Sequence, residues 1–176
     1  MLVVQILIIV FLAALFFEDM RYRAVHWFWF PLLIIASFFL HYFGNLPVSI
    51  FINRISTNGG FIWAILILLT SYFSIKHRKF VNINDGLLGA GDILFWVVAG
   101  CYLSLLNFML FYISSVILIL LGWLIYQQFS ESNNKRIPLA GLQSFLLAST
   151  ISLSWFRLIP SVQTDDYLIN MLLLWN

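Results

Sequence analysis

Charged residues are scarce in this chain. Asp, Glu, Lys and Arg make up 9% of its 176 residues, whereas soluble domains carry about 25%. Hydrophobic residues make up 62%, and the mean hydropathy is +0.99. These proportions exclude an ordinary soluble domain and predict a multi-pass membrane protein whose main surroundings are the lipid bilayer.

Cysteine and histidine are also few. The single cysteine, Cys101, excludes an internal disulfide and a multi-cysteine zinc site, and it is typical of a small apolar core residue. His26, His41 and His77 fall on different loops or sides, so no metal site and no cofactor are expected. The net charge is +2 without a polybasic face, so nucleic acid is not an expected partner.

Signal-peptide features are missing at the start of the chain. No basic segment precedes the apolar run Met1–Phe17, and no small-residue cleavage site follows it. We therefore expect this run to be retained as a first membrane helix.

Apolar runs dominate what is present. They predict an all-α, polytopic membrane helix bundle, a single membrane-embedded domain over residues 1–176 with about six transmembrane helices. The predicted spans are Met1–Phe17, Trp27–Phe43, Phe61–Ile75, about Ile93–Leu106, about Phe108–Tyr126 and a sixth from Pro138 to Trp155 or Phe156.

Shorter segments connect these spans. Glu18–His26 is predicted as a polar loop, and Gly44–Gly60 as a loop whose middle, Val48–Ile55, lies on the membrane surface. Asn107 is expected in a tight turn. The apolar end Tyr167–Trp175 is too short to span and is also expected on the membrane surface.

The Lys and Arg residues predict the orientation of the bundle. Six spans place seven of them on one side and two on the other, so the first side is expected to be cytoplasmic and the N-terminus outside. The first set is Arg21, Arg23, Lys76, Arg78, Lys79, Lys135 and Arg136, and the second is Arg54 and Arg157.

An acidic residue stands in front of the fourth apolar run. Asp92 follows Gly86, Gly89 and Gly91. An ionised carboxylate costs roughly 2.5–3.5 kcal/mol at the centre of a membrane helix and less near an interface, so its placement indicates a function. The glycines would let another backbone approach closely. The predicted topology brings Asp19, at the end of the first span, to the same side.

Two carboxyl groups in one site favour acid–base chemistry. If the first and fourth spans are neighbours, Asp19 and Asp92 face each other and share one proton, since both cannot ionise cheaply. The ionised member can take a proton from water while the protonated member polarises a carbonyl. The pattern favours an aspartic peptidase, which needs no metal and no cofactor.

Structural roles are the alternatives. Asp19 could simply pair with Arg21 or Arg23, and Asp92 could cap the fourth helix. The glycines could serve only to pack helices closely. Glu18 adjoins Asp19 but points to a different side of a helix, so only one of the two is expected in the site.

Three segments of the chain stand in a characteristic order. They are Asp19-Met20-Arg21-Tyr22-Arg23-Ala24-Val25, then Gly89-Ala90-Gly91-Asp92 through Ala99-Gly100, and then Arg136-Ile137-Pro138-Leu139-Ala140-Gly141. Together they resemble the motifs of the type IV prepilin leader peptidases, membrane aspartic peptidases of the GxGD class that also includes presenilin. His26 and Trp27 stand where the family has Pro-Asn, and Leu94 where many members have Lys.

This resemblance implies an activity and a set of site residues. It implies a peptidase of the bacterial cytoplasmic membrane that cuts the short basic leader from prepilin-like or pseudopilin-like proteins, just after a glycine, at the cytoplasmic face. Its catalytic residues would be Asp19 and Asp92; Gly89 and Gly91 would admit the substrate backbone, with Arg21, Arg23 and Pro138 as further motif residues.

Larger members of that family carry an N-terminal insert with paired cysteines and an N-methyltransferase activity. The short first loop and the lone cysteine here predict peptidase activity only. Acidic residues on the same side, Glu18, Asp85 and Glu131, would attract a basic leader weakly through salt.

Two other functions fit a membrane bundle with carboxylates. One is an ion- or proton-coupled transporter subunit, which is expected to distribute its acids across the membrane depth, whereas this chain gathers them at one face. The other is a catalytically inactive homologue that chaperones an assembly.

Overall fold

The computed structural model describes residues 2–44, 47–78, 89–129 and 137–174. Regular structure within these ranges is α-helical throughout, which confirms the all-α prediction. The helices are α1 (Leu2–Tyr22), α2 (Trp29–Phe43), α3 (Val48–His77), α4 (Ala90–Tyr102), α5 (Leu105–Phe129), α6 (Leu139–Trp155) and α7 (Asp166–Leu173).

Three of these helices are long and apolar enough to cross a membrane, namely Leu2–Tyr22, Val48–His77 and Leu105–Gln128. The apolar helices α2, α4 and α6 are shorter, with 15, 13 and 17 residues. Three such long helices indicate a membrane protein. The count of six spans and the outside position of the N-terminus stay predictions.

The core lies where α1, α2, α4 and α6 meet. α1 packs mainly on α6 and α2, and α4 contacts α2, α3 and α6. The buried residues of α1 recur at three- or four-residue spacing, at Ile8, Leu12, Leu15 and Asp19, while apolar residues also cover its exposed faces. The most buried side chains of this core include Ile8, Leu12, Leu15, Phe30, Leu33, Phe95, Ala99, Leu147 and Ile151.

The segment after α2 differs from its prediction. A single helix of 30 residues, α3, runs from Val48 to His77, so the predicted loop is wrong from Val48 to Gly60. The position of Val48–Ile55 on the membrane surface stays a prediction. Small residues are tolerated within membrane helices, and a Cβ at Gly59 or Gly60 would meet nothing within 4 Å.

Polar residues in this part of α3 are anchors to α4. Arg54 donates to the Tyr102 carbonyl at 3.1 Å, and Asn58 donates to the carbonyls of Gly100 at 2.7 Å and Leu103 at 2.9 Å. Both side chains are buried. The residues that resemble a loop in the sequence therefore join two helices.

The connections after α1 and after α4 also lie at other positions than predicted. α1 continues through Glu18 to Tyr22 and ends where Arg23 adopts a left-handed conformation, with φ 52°. The break between α4 and α5 falls at Leu103 and Ser104. Asn107 lies within α5 and not in the turn itself. Its side-chain amide donates to the Ser104 hydroxyl at 2.8 Å and so stabilises the turn that precedes α5.

Three further predictions concern the ends of the chain and the connecting segments. Pro138 directly precedes α6, as expected. The apolar side chains of α7 are exposed, and their position on a membrane stays a prediction. Four of the acidic and motif residues, Asp85, Gly86, Glu131 and Arg136, lie outside the described ranges.

Candidate active site

Asp19 lies in the last turn of α1 and points into the bundle. Its side chain is only 6% exposed. The carboxylate oxygen Oδ2 accepts a hydrogen bond of 2.6 Å from the backbone amide of Gly141, in the first turn of α6. The first four amides of a helix have no partner within the helix, so α6 offers a donor at the place where α1 brings a buried carboxylate.

Asp92 occupies the first turn of α4. Its Oδ2 accepts a hydrogen bond of 3.1 Å from the backbone amide of Gly89, the residue that precedes the helix. The backbone amide of Ala140 also interacts favourably with this carboxylate. Asp92 therefore caps its own helix, as one structural alternative expected, and it also faces the start of α6.

The two carboxylates share one site. The charge of Asp19 acts on Asp92, and neighbouring residues at the start of α6, Ala140 and Gly141, interact with one carboxylate each. Two carboxylates that interact in this way favour a state in which the pair holds one proton. The positive end of the α6 dipole stabilises the remaining negative charge. Such a pair can act as acid and base together.

The three glycines near the carboxylates differ in how much space a larger side chain would have. A Cβ at Gly141 would lie 2.8 Å from the Cβ and 2.9 Å from Oδ2 of Asp19, so no larger residue fits without displacing that carboxylate. A Cβ at Gly89 would lie 3.0 Å from Oδ2 of Asp92. A Cβ at Gly91 would come no closer than 4.0 Å to Val25, an ordinary contact.

The two predicted arginines have different surroundings. Arg23 interacts electrostatically with the Asp19 carboxylate, and its backbone amide donates to the Asp19 carbonyl at 2.9 Å. Arg21 lies with its guanidinium 5.5 Å from the centre of the Tyr22 ring. Arg23 therefore belongs to the surroundings of the pair.

Glu18 lies apart from the pair, as its position on the helix predicts. Its carboxylate accepts a hydrogen bond of 3.1 Å from the His26 backbone amide and also pairs with the His26 ring. Glu18 thus holds the short segment that follows α1. Since Val25 belongs to this segment and contacts the Gly91 region, the first and second sequence motifs lie side by side.

Pro138 is buried directly before α6. Proline lacks a backbone amide and suits the start of a helix, where that amide would have no partner within the helix. Its carbonyl accepts from the amide of Leu142 at 3.2 Å. Pro138 thus sets the point at which α6 begins and, with it, the position of the two amides that face the carboxylates.

A buried polar network lies beside the carboxylate pair, and none of its residues is among the site residues predicted from the sequence. Trp96 Nε1 donates to Gln143 Oε1 at 3.0 Å, and Gln143 Nε2 donates to Ser115 Oγ at 3.1 Å. Gln143 is 0% exposed. Trp96 lies one turn after Asp92, and Gln143 two residues after Gly141, so the network joins α4, α6 and α5 beside the pair. A glutamine within an apolar run is the one sequence signal for it.

Metal coordination has no candidate in the described ranges, where no group of three His, Cys, Asp or Glu side chains lies close enough to hold an ion. Comparison of the chain with protein-family models, with curated proteins and with solved structures finds no match in any of the three. The resemblance to prepilin leader peptidases therefore stays a prediction that rests on the three motifs.

Proposed function

We propose that this protein is a membrane aspartic endopeptidase that removes the short basic leader from prepilin-like or pseudopilin-like membrane proteins. The observation that carries the proposal is the meeting of Asp19 and Asp92 at the start of α6, where each carboxylate interacts with a backbone amide. This chemistry is that of a coupled carboxyl pair, and the motifs supply the substrate class.

Hydrolysis by such a pair needs a water molecule and a polarised carbonyl. The ionised carboxyl group takes a proton from water as the water attacks the scissile carbonyl, and the protonated group donates a hydrogen bond to that carbonyl oxygen. Because the pair titrates as a unit, neither Asp19 nor Asp92 is assigned as the fixed base. Gly91 has no side chain of its own, so an extended substrate backbone can approach it more closely than any other residue type would allow.

The proposed cleavage is tested by co-expression with candidate prepilin-like proteins, with loss of the leader followed by gel shift. We expect the unaltered chain to process at least one candidate and Asp19→Asn or Asp92→Asn each to abolish processing. Either variant loses the ability to share a proton. Asp166→Asn, an exposed position in α7, is the matched control and should process normally.

Membrane insertion is measured for each variant, so that loss of activity is separated from loss of the protein. Normal processing by an inserted Asp19→Asn or Asp92→Asn chain would contradict the pair mechanism. Failure of the unaltered chain to process any candidate would contradict the substrate class.

One observation favours a second candidate, an inactive structural homologue. The Asp92 carboxylate already accepts a hydrogen bond from the Gly89 amide and so has a structural role as a helix cap. Under this alternative Asp92→Ala would lower thermal stability, typically by about 1 kcal/mol for a lost cap, and no candidate would be processed by any form of the chain.

A further inference from the structure

A cavity of about 670 Å³ lies at the end of the bundle opposite the carboxylate pair. Its walls include Gln5 near the start of α1, Tyr102 at the end of α4 and Trp155 at the end of α6. Asp19 and Asp92 lie at the other ends of α1 and α4. The cavity is therefore separate from the proposed active site.

The wall contributed by the segment after α6 is held in place by hydrogen bonds to the bundle. Arg54, buried in α3, donates to the Gln163 carbonyl at 2.9 Å, and the Ser104 amide donates to the Val162 carbonyl at 3.2 Å. The Ser154 hydroxyl donates to the Pro160 carbonyl at 3.3 Å. The cavity is thus formed by the folded chain itself.

Arg157 is the one charged residue among those that line the cavity. Within the described part of the chain its guanidinium has no carboxylate partner. Its backbone adopts a left-handed conformation with φ 57°, fixed by bonds from its amide to Ser154 O at 3.1 Å and from the Leu158 amide to Leu153 O at 3.0 Å. Glycine is the residue that adopts this helix-ending conformation without strain.

The surroundings of Arg157 indicate what it faces. Its chain neighbours Phe156 and Leu158 are 78% and 71% exposed. α7 begins at this same end of the bundle, since Asp165, the residue before it, accepts a hydrogen bond of 2.6 Å from Ser104 at the α4–α5 turn. Most apolar side chains of α7 are exposed too. Exposed apolar side chains around an arginine are typical of a membrane–water boundary.

We propose that this cavity binds the phosphate headgroup of a membrane phospholipid. The guanidinium of Arg157 matches a phosphate through paired N–H donors. The amide of Gln5 and the hydroxyl of Ser161 supply further polar groups in the lining. Phe156 and Leu158 would contact the acyl chains, which a free phosphate ion does not have.

The test measures retention of phosphatidylglycerol by the full chain, purified in detergent, using native mass spectrometry over a lipid titration. The variants are Arg157→Gly and Arg78→Gly. Arg78 is the matched control, because it is also exposed, also ends a helix and also has a left-handed backbone, with φ 51°. Glycine is compatible with that conformation at both positions, so both variants should fold.

We expect Arg157→Gly to weaken the apparent affinity for phosphatidylglycerol at least about ten-fold, as loss of a charged hydrogen-bond donor does, and Arg78→Gly to leave it unchanged. Ser161→Trp, which places a large side chain in the cavity, should weaken it as well. Equal retention by the Arg157→Gly, Ser161→Trp and unaltered chains would overturn the proposal. So would displacement of the lipid by millimolar inorganic phosphate, which would make free phosphate the ligand.

Discussion

At the scale of single residues, the site depends on backbone amides. Asp19 is buried and accepts a hydrogen bond from Gly141, while Asp92 accepts one from Gly89 and interacts with the amide of Ala140. A buried charge is costly unless hydrogen bonds compensate for lost water. These amides offset part of that cost for the ionised member of the pair.

Gly141 carries the first prediction at this scale. Gly141→Ala should lower the free energy of unfolding by about 1–3 kcal/mol, as overpacked sites do, because the new methyl group would lie 2.8 Å from the Asp19 Cβ. Gly91→Ala is the matched control, since its methyl group would come only to 4.0 Å from Val25. Thermal or denaturant unfolding in detergent measures both.

Alanine favours a helix over glycine by about 1 kcal/mol, so Gly91→Ala should be neutral or slightly stabilising. If the Gly141→Ala chain were as stable as the Gly91→Ala chain, the close contact between α6 and Asp19 would be wrong. A stable Gly91→Ala chain with slowed cleavage would support approach of the substrate backbone at Gly91.

At the scale of helices, α4 and α6 are joined by more than apolar packing. Gln143 on α6 accepts from Trp96 on α4 and donates to Ser115 on α5, and all three side chains are buried. Interhelical hydrogen bonds in membranes contribute roughly 0.6–2 kcal/mol. Since Trp96 follows Asp92 by one turn, this network also maintains the spacing between the two helices that meet at the site.

Gln143→Leu tests the network. The change keeps a side chain of similar length but leaves the Trp96 indole N–H without its acceptor, so the free energy of unfolding should fall by about 1–2 kcal/mol. Gln128→Leu on the exposed part of α5 is the control and should change stability little. A Gln143→Leu chain as stable as the unaltered one would show that apolar packing alone holds α4 to α6.

At the scale of the whole molecule, α3 extends further than α4 at the end of the bundle that holds the carboxylates. α3 and α4 are antiparallel, with Asn58 bonded to the Gly100 carbonyl. At about 1.5 Å per residue, α3 continues about 28 Å beyond Asn58 to His77, while Asp92 lies only about 12 Å along α4 in the same direction. Under the proposed function, the scissile bond would reach the carboxylate pair beside this projecting part of α3.

Much of the bundle follows from apolar runs, and the acidic pair follows from its position at the ends of two of them. The long α3 does not, because Asn58 and the Gly59-Gly60 pair have the composition of a loop, and only the α4 carbonyls show that Asn58 has partners inside the bundle. The donors at Ala140 and Gly141 are also invisible in sequence, since a backbone amide has no side-chain signature.

The central claim is that Asp19 and Asp92 form one site, and cysteine cross-linking in native membranes tests it most directly. Asp19→Cys with Asp92→Cys is compared with Glu18→Cys with Asp92→Cys, both in a Cys101→Ala chain because Cys101 is the only cysteine. The structure predicts rapid cross-linking of the first pair by a short thiol reagent and little of the second, because Glu18 faces His26. Equal cross-linking of the two pairs, or none in the first, would contradict the claim.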